Sequence, residues 1–288
     1  MIRGVKVKNK KTVITAAVCI AVIAGIFVLA FAGSSGSIKV VFPSLGKADC
    51  AILYEDGACV VIDCGNKGDG KGVADLCASL GAEKIDCLII THFDKDHIGG
   101  AAKLLTSIHV AKVYEPDYDD SEVDINEYSL YRLALENAVA EGTELIKLGS
   151  DEKIAVGGME LTLMPPHKSY DKSIDNNSSL VVLVSAYGKR LLFAGDIEKQ
   201  RIDDMLAEYD LKCDFLKMPH HGEYGKSVSN LIKACSPSAA VVTCENREEL
   251  DPSLENALAS AGVNVYYTDT GKTLYFTCRK NGIDHSEE

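Results

Sequence analysis

The sequence predicts an α/β (α+β) fold in which sheets are covered by helices, preceded by one segment that crosses a membrane. Three observations carry this expectation. From Ser37 onward, apolar runs of strand length alternate with stretches of helical periodicity, and both recur in each half of the chain. Three of these runs end just before clusters of histidine and aspartate, at the strand ends where α/β folds bind ligands. The first 33 residues, finally, have a composition unlike the rest of the chain.

That opening segment begins with a flank, residues 1–11, that holds Arg3, Lys6, Lys8, Lys10 and Lys11 and no acid. TVITAAVCIAVIAGIFVLAFA then runs without charge to Ala32, which is long enough to span a bilayer. A basic flank stays in the cytoplasm, so the rest of the chain is expected to be extracytoplasmic, held by a single-pass anchor over residues 12–33. Ala30-Phe31-Ala32 also fits a signal-peptide cleavage site, and secretion after cleavage is the alternative; an apolar stretch of about 20 residues exceeds the ~7–15 of a usual signal core. Residues 34–37 follow as a short Gly/Ser linker.

Five of the 30 basic residues lie in that segment and none of the 42 acidic ones do, so the remaining chain carries 25 against 42, a net of −17. Such a surface grips nucleic acid poorly by charge alone. Of ten cysteines, Cys19 lies in the membrane segment and nine remain, an odd number with no CxxC pair. Cys59, Cys87 and Cys244 sit inside apolar runs, so buried free thiols are expected, with no zinc-thiolate site and no redox motif.

Along the chain, SIKVVF, CAILYE and ACVVID read as strands, the last two joined by an Asp56-Gly57 hairpin turn. VADLCASLGA reads as a helix, IDCLIIT as a strand, AAKLLTSI as a helix and AKVYEP as a strand. An acidic loop, Asp117 to Asp124, and a helix from Tyr128 to Ala140 follow. In the second half MELTLMPP, SLVVLVS and RLLFAG are strands, the last two joined through AYGK; EKQRIDDMLAEY is a helix, and DFLKMP and AAVVTC are strands. The helix LENALASAG and a hairpin NVYYTDTGKTLYFTC close a domain spanning 38–280, with 281–288 as a tail.

The strand IDCLIIT runs into His92-Phe93-Asp94-Lys95-Asp96-His97. Alternate residues His92 and Asp94 point to one cation, and Asp96 and His97 turn toward a second. Neutral imidazole and carboxylate are ligands for zinc, iron and manganese. Capping of the helix that begins near Gly99 explains one carboxylate, not all four groups. RLLFAG likewise ends at Asp196, and DFLKMP at His220 and His221. Three strand ends meeting on one rim would build a site from segments far apart in sequence.

THFDKDHIGG resembles the metallo-β-lactamase signature in the form H-x-D-x-D-H-x-G-G, the variant found in the soluble domain of the ComEC/Rec2 competence family. LGKADCAIL with VIDCG, NNSSLVVLV with RLLFAGDIE, LKMPHHG and YYTDTGKTLYF are similar to further segments of that domain, in matching order. The resemblance implies an αββα sandwich with two divalent metal ions, zinc or manganese, on its rim. His92 and Asp94 would hold one, Asp96 and His97 the other, Asp196 would bridge both, and His220 or His221 would complete the second site. Asp96, Asp196 and His221 are the residues expected to carry the chemistry.

The chain departs from the family where a further histidine is common: SIDNNSSL offers Asp175, Asn176 or Asn177, with His167 of LMPPHKS as another candidate. Glu223 replaces the serine of the usual HHGS, and Lys217 is a candidate substrate contact or a solvent-facing strand end. Two closely spaced cations would acidify a water for in-line attack on phosphorus or a carbonyl carbon. No G-x-S-x-G or Walker motif is present, so neither a nucleophilic serine nor a nucleotide cofactor is expected. The expected activity is phosphodiester cleavage, with nucleic acid outside the membrane as one substrate. The alternatives are hydrolysis of small phosphodiesters, phosphorylcholine esters or lactones, and a non-catalytic metal-binding component of an envelope or uptake complex.

Overall fold

The computed structural model describes residues 36–118, 123, 125–170 and 174–288. The predicted membrane segment, its basic flank and part of the acidic loop lie outside the described residues. Among the described residues, no helix is long and apolar enough to cross a membrane.

Fifteen strands form two sheets among the described residues. The first is built from β1 (Ile38–Phe42), β2 (Ala51–Glu55), β3 (Ala58–Ile62), β4 (Ile85–Ile89), β5 (Val110–Pro116), β6 (Glu144–Leu148), β14 (Leu274–Arg279) and β15 (Gly282–Glu287), in the order β15-β14-β1-β2-β3-β4-β5-β6. The second holds β7 (Glu152–Val156), β8 (Met159–Met164), β9 (Val181–Ala186), β10 (Lys189–Phe193), β11 (Phe215–Lys217), β12 (Ala239–Val242) and β13 (Asn264–Tyr267), in the order β13-β12-β11-β10-β9-β8-β7. Each sheet starts as antiparallel hairpins and continues as parallel strands, β3 to β6 in one and β10 to β13 in the other.

The hairpin turns follow from residues that accept a positive φ. Asp56 and Gly57 adopt φ of 45° and 93°, and Tyr187 and Gly188 adopt 52° and 74°, the twist that two-residue hairpins need. Parallel neighbours need crossovers, and helices supply them. α1 (Gly70–Leu80), α2 (Lys95–Ile98), α3 (Ala101–Leu105) and α4 (Asn126–Ala140) serve the first sheet; α5 (Ile174–Asn177) precedes β9; α6 (Lys199–Glu208), α7 (Lys226–Cys235) and α8 (Pro252–Ser260) serve the second.

Strand alternation divides the apolar residues into layers. Val40, Phe42, Leu53 and Val60 meet Leu161, Val182, Leu191 and Phe215 between the sheets, whereas Val41, Ile52 and Val61 turn outward against Val73, Leu104 and Leu135 of α1, α3 and α4. On the other side Leu192, Leu216 and Val242 pack on Ile202, Leu231 and Leu258 of α6, α7 and α8. The result is the predicted αββα sandwich. Full burial of each such side chain contributes roughly 1.5–3 kcal/mol.

Two expectations are corrected. The closing hairpin does not form: β13 pairs parallel with β12 in the second sheet, and β14 pairs antiparallel with β1 in the first. The crossover helix α8 delivers β13 beside β12, and Thr268, bonded to the Gly46 carbonyl (2.8 Å) and to the Cys244 amide (3.0 Å), marks the crossing between sheets. Residues 281–288 are no tail, because Gly282–Glu287 is the edge strand β15, paired along all of β14. Its polar sequence suits an exposed edge, which charged side chains protect from further pairing.

Candidate metal centre

The centre forms where strand ends of both sheets converge. From the first sheet come Asp49, in the loop before β2, Asp63 after β3, and the run Thr91 to His97 after β4; from the second come Asp196 after β10, Lys217 at the end of β11, His221 in the turn after it, and Thr243 after β12. Close backbone approach locks these loops together. The Cys64 amide donates to the His97 carbonyl (2.8 Å), and the Asp49 amide to that of Asp96 (3.0 Å). Gly100 carries no Cβ because one would lie 2.1 Å from the Cys64 carbonyl oxygen. Gly195, at φ 55°, sets the sharp turn that swings Asp196 off β10, and a Cβ there would meet Ser179 at 2.8 Å.

Asp94 occupies the N-cap position of α2, yet its side chain makes no capping hydrogen bond. Its Oδ2 lies 3.6 Å from Nε2 of His92 instead. The helix-cap explanation therefore does not account for this carboxylate.

Three buried imidazoles are oriented in the same way. Thr91 donates its hydroxyl to Asp63 (2.7 Å) and so offers a lone pair to Nδ1 of His92 (3.1 Å). Thr243 donates to Asp49 and offers a lone pair to Nδ1 of His221 (3.1 Å). His97 uses Nδ1 directly on Asp63 (2.8 Å). In each ring the carboxylate behind assigns the proton to Nδ1 and leaves the Nε2 lone pair facing forward. Asp196 Oδ2 then lies 3.2 Å from Nε2 of His97 and 3.0 Å from Nε2 of His221, and Asp96 Oδ2 lies 3.4 Å from the same His221 nitrogen. The ligand atoms of His92, His97 and Asp196 all lie within 4.8 Å of one another.

Nε2 of His92 and Nε2 of His97 are buried and make no hydrogen bond. Leaving such atoms unpaired is costly, and two of them converging beside carboxylates is what a cation would satisfy. Imidazole nitrogen with carboxylate oxygen and no thiolate suits zinc, manganese or iron. The residues present thus fit the divalent ions that this fold holds. A second triad, Asp49, His97 and His221, is equally compact. There Asp49 is ion-paired to the Lys217 ammonium, and the Nδ1 atoms already face Asp63 and Thr243, so a cation is already in place.

Lys217 is buried, in contact with Asp49, with Asp196 Oδ1 at 3.5 Å and with the Gly195 carbonyl at 3.3 Å. It is neither a solvent-facing strand end nor a group on an open cleft. Burial works against ionisation of Asp49 and Asp196, yet Lys217 and His97 hold both carboxyls below their ordinary range. Burial likewise opposes a charge on His221, but the carboxylates of Asp196, Asp49 and Asp96 raise it to about 10. His97 is raised too, against burial, by Asp196, Asp63 and Asp49.

The two neighbouring histidines separate. Both adopt positive φ, 43° for His220 and 53° for His221. His221 turns into the centre; His220 turns out, with Nδ1 3.1 Å from Glu223 and 3.5 Å from Glu198.

The stretch SIDNNSSL brings none of its three candidates to the centre. Asp175 accepts from Tyr118 (3.3 Å), Asn176 donates to Glu198 (2.8 Å), and Asn177 Oδ1 accepts from the amides of Glu198 (3.1 Å) and Arg201 (3.2 Å), capping α6. Ser179 is its contribution: the Asp196 amide donates to its hydroxyl (3.1 Å), which also lies 3.4 Å from Nδ1 of His92. His167 lies elsewhere, paired with Asp151 (2.8 Å) and Glu208 (3.4 Å) on an exposed surface. The expected buried thiols are found: the nine described cysteines are all free and buried.

A two-sheet sandwich with a histidine–aspartate centre on its rim defines the class. The chain belongs to the Metallo-beta-lactamase superfamily, whose profile matches residues 44–244. It is similar to ComE operon protein 3 of Bacillus subtilis (strain 168), 26% identical over 210 residues that cover 72% of this chain and 26% of that protein. It is also similar to Competence protein ComA of Neisseria gonorrhoeae, 23% identical over 220 residues, 74% of this chain and 28% of that one. These relatives are of the ComEC family, and the chain spans about a quarter of their length. Among solved structures it resembles Igni18, a metallo hydrolase from Ignicoccus hospitalis KIN4/I, with a TM-score of 0.52 at 21% identity over 83% of this chain and 98% of that one. CmlA, a diiron beta-hydroxylase from Streptomyces venezuelae, gives 0.54 at 16% identity over 85% and 54%. At these identities the likeness is one of fold.

Proposed function

We propose that this protein is a metal-dependent hydrolase of phosphodiester bonds, with its domain on the outer side of the membrane. The observation that carries the reading is the orientation of three buried imidazoles, each fixed through Nδ1 by a carboxylate or a carboxylate-bound threonine, with Nε2 turned forward. His92, Asp94, Asp96, His97, Asp196 and His221 are the residues that would hold the ions. Such ions supply Lewis acidity toward a phosphoryl oxygen and lower the pKa of water. The chain's own contribution is to keep the ligands aligned: Asp63 and Asp49 hold the imidazoles from behind, and Lys217 holds Oδ1 of Asp196.

The kinship with competence proteins and the predicted anchor support a phosphodiester substrate met outside the cell. The net charge of −17 beyond the opening segment favours a short or small substrate over a long strand held in a basic groove. The test is elemental analysis of the purified full chain, then hydrolysis of bis(p-nitrophenyl) phosphate and of linear and plasmid DNA with added manganese or zinc. Two metal ions per chain with turnover of a phosphodiester, abolished in Asp196→Ala, is the expected result. A metal-loaded chain inert toward all of them refutes the reading and leaves a binding role.

A further inference from the structure

Two pairs of the buried cysteines touch. Cys59 of β3 faces the helical layer together with Val61, and Cys77 lies on the buried side of α1 with Val73 and Ala74. Their thiols are hydrogen-bonded to each other. In the second half, α7 ends at Cys235 because Ser236 turns left-handed (φ 45°), which leaves the Cys235 carbonyl for a partner outside the helix. That partner is the amide of Cys213, just before β11 (2.9 Å), and here too the two thiols are hydrogen-bonded. A backbone hydrogen bond of this kind sets two Cα atoms about 5–6 Å apart, inside the roughly 4.4–6.8 Å that a disulfide bridges. We propose that Cys59 with Cys77, and Cys213 with Cys235, are disulfide sites, each stapling a covering helix to its sheet.

Their placement suits a structural bond. Cys59 lies at the start of β3 and Cys213 before β11, at the opposite ends from Asp63 and Lys217, which those strands deliver to the centre. Closing either pair ties helix to sheet without moving a ligand. Cys77 follows Cys59 by 18 positions and Cys235 follows Cys213 by 22, and cross-links over loops of this length remove freedom from the unfolded chain. Cys50 and Cys64 share the layer of the first pair, so alternative bridges to them are the competing outcome.

Each closure is a thiol–disulfide exchange: one disulfide of the oxidant is reduced to two thiols while the pair gives up two electrons and two protons and joins its sulfurs. The attacking species is the thiolate. In the folded, reduced chain the partner's hydrogen bond and burial hold Cys59 and Cys235 far above the ordinary thiol range, so exchange there is slow. The bonds therefore close as the chain folds, before α1 and α7 dock. Disulfide oxidants act outside the cytoplasm, so closure in the cell rests on the outer-side location proposed above, whereas the pairing rests on the fold alone.

The experiment synthesises the full chain in a cell-free system with detergent, once with a mixture of glutathione and its disulfide and once with dithiothreitol. Under the oxidant the intact mass should fall by the four hydrogens that two disulfides release, and unreduced peptide maps should show Cys59 joined to Cys77 and Cys213 to Cys235. The oxidised form should exceed the reduced one in Tm by about 5–10 °C per bond. Each half of that gain should vanish in the matching variant, Cys59→Ala/Cys77→Ala or Cys213→Ala/Cys235→Ala. Free thiols at these positions after oxidative synthesis, or bridges to Cys50 or Cys64 in their place, would overturn the proposal; the maps of the unaltered chain decide this even if a variant fails to fold. A gain in Tm that survives in both variants would also overturn it. Peptide maps of the full chain taken from cell membranes and alkylated on lysis separate the two readings: pairs that close in the cell-free system but stay free in the cell leave the pairing standing and refute the outer-side location.

Discussion

Replacing Lys217 by Met keeps most of the side chain's length and apolar stem while deleting its charge. The ammonium lies in a buried site, ion-paired to Asp49, 3.5 Å from Asp196 Oδ1 and 3.3 Å from the Gly195 carbonyl. At 3.5 Å and an effective dielectric of about 20, one such charge pair is worth roughly 5 kcal/mol, and desolvation of the ammonium offsets part of it. Breaking a buried pair from one side costs about 3–5 kcal/mol, because the partner is left without compensation. Urea denaturation of the metal-free protein should therefore show a loss in that range. The double variant Lys217→Met/Asp49→Asn should be less destabilised than the sum of its single variants, since each single variant leaves a charge or its acceptor stranded. A loss below about 1 kcal/mol for Lys217→Met, or strict additivity in the double variant, would refute the view that this lysine compensates the carboxylates behind the centre.

Other consequences follow from the same geometry. His221→Ala should lower metal content while His220→Ala keeps it, and Thr243→Val, which breaks the link from Asp49 to His221, should cost about 10–100-fold in metal affinity with the fold retained. Because the surrounding carboxylates raise His221 to about 10, it holds a proton at neutral pH without metal, and Asp196, Asp63 and Asp49 shift His97 in the same direction. Metal binding must then release protons, seen as a buffer-dependent calorimetric heat, and affinity should climb from pH 6 toward pH 10; absence of proton release would contradict this. The sign for stability is opposite in the metal-free chain: the His221 contribution is fully present below pH 6.5 and is lost as pH rises through about 10, so the urea midpoint should fall over that interval. Burial raises thiols such as Cys50, Cys64 and Cys87, so in the reduced chain a thiol reagent at pH 8 should react with the nine described cysteines only after denaturation.

The parts of the centre legible in sequence were those whose charge interrupts an apolar run. THFDKDH, AGD and PHHG stand out because strands of the two sheets deliver them to one rim. Asp49 and Asp63 were not legible as members of the site. Each is a single aspartate with no histidine beside it; Asp63 acquires its role from Thr91 and His97, and Asp49 from Thr243, 194 positions away. The choice between His220 and His221 likewise needed backbone angles, since positive φ at both turns adjacent rings to different sides. SIDNNSSL was a candidate ligand source because the resemblance places a further histidine there, whereas its asparagines serve Glu198 and the start of α6. For the fold, alternation fixed the inner strands. It misled at the chain's end, where the connection after β13 crosses between sheets and a polar edge strand carries little apolar signal.

Two layers of the site therefore have different duties. Behind the imidazoles, Asp49, Asp63, Thr91, Thr243 and Lys217 are all buried and joined to one another or to a ring nitrogen, so their positions are set by the fold before any ion arrives. Lys217 takes Oδ1 of Asp196 on this side, which leaves Oδ2 as the oxygen facing His97 and His221. A centre held this rigidly can vary little without losing its ligands. Variation in substrate must then come from the loops that leave it, where Glu223 at the end of PHHG lines a cleft with Glu198 and Lys226. The net charge of the domain and the carboxylates of that cleft have the same sign, and both work against a substrate that carries many phosphates.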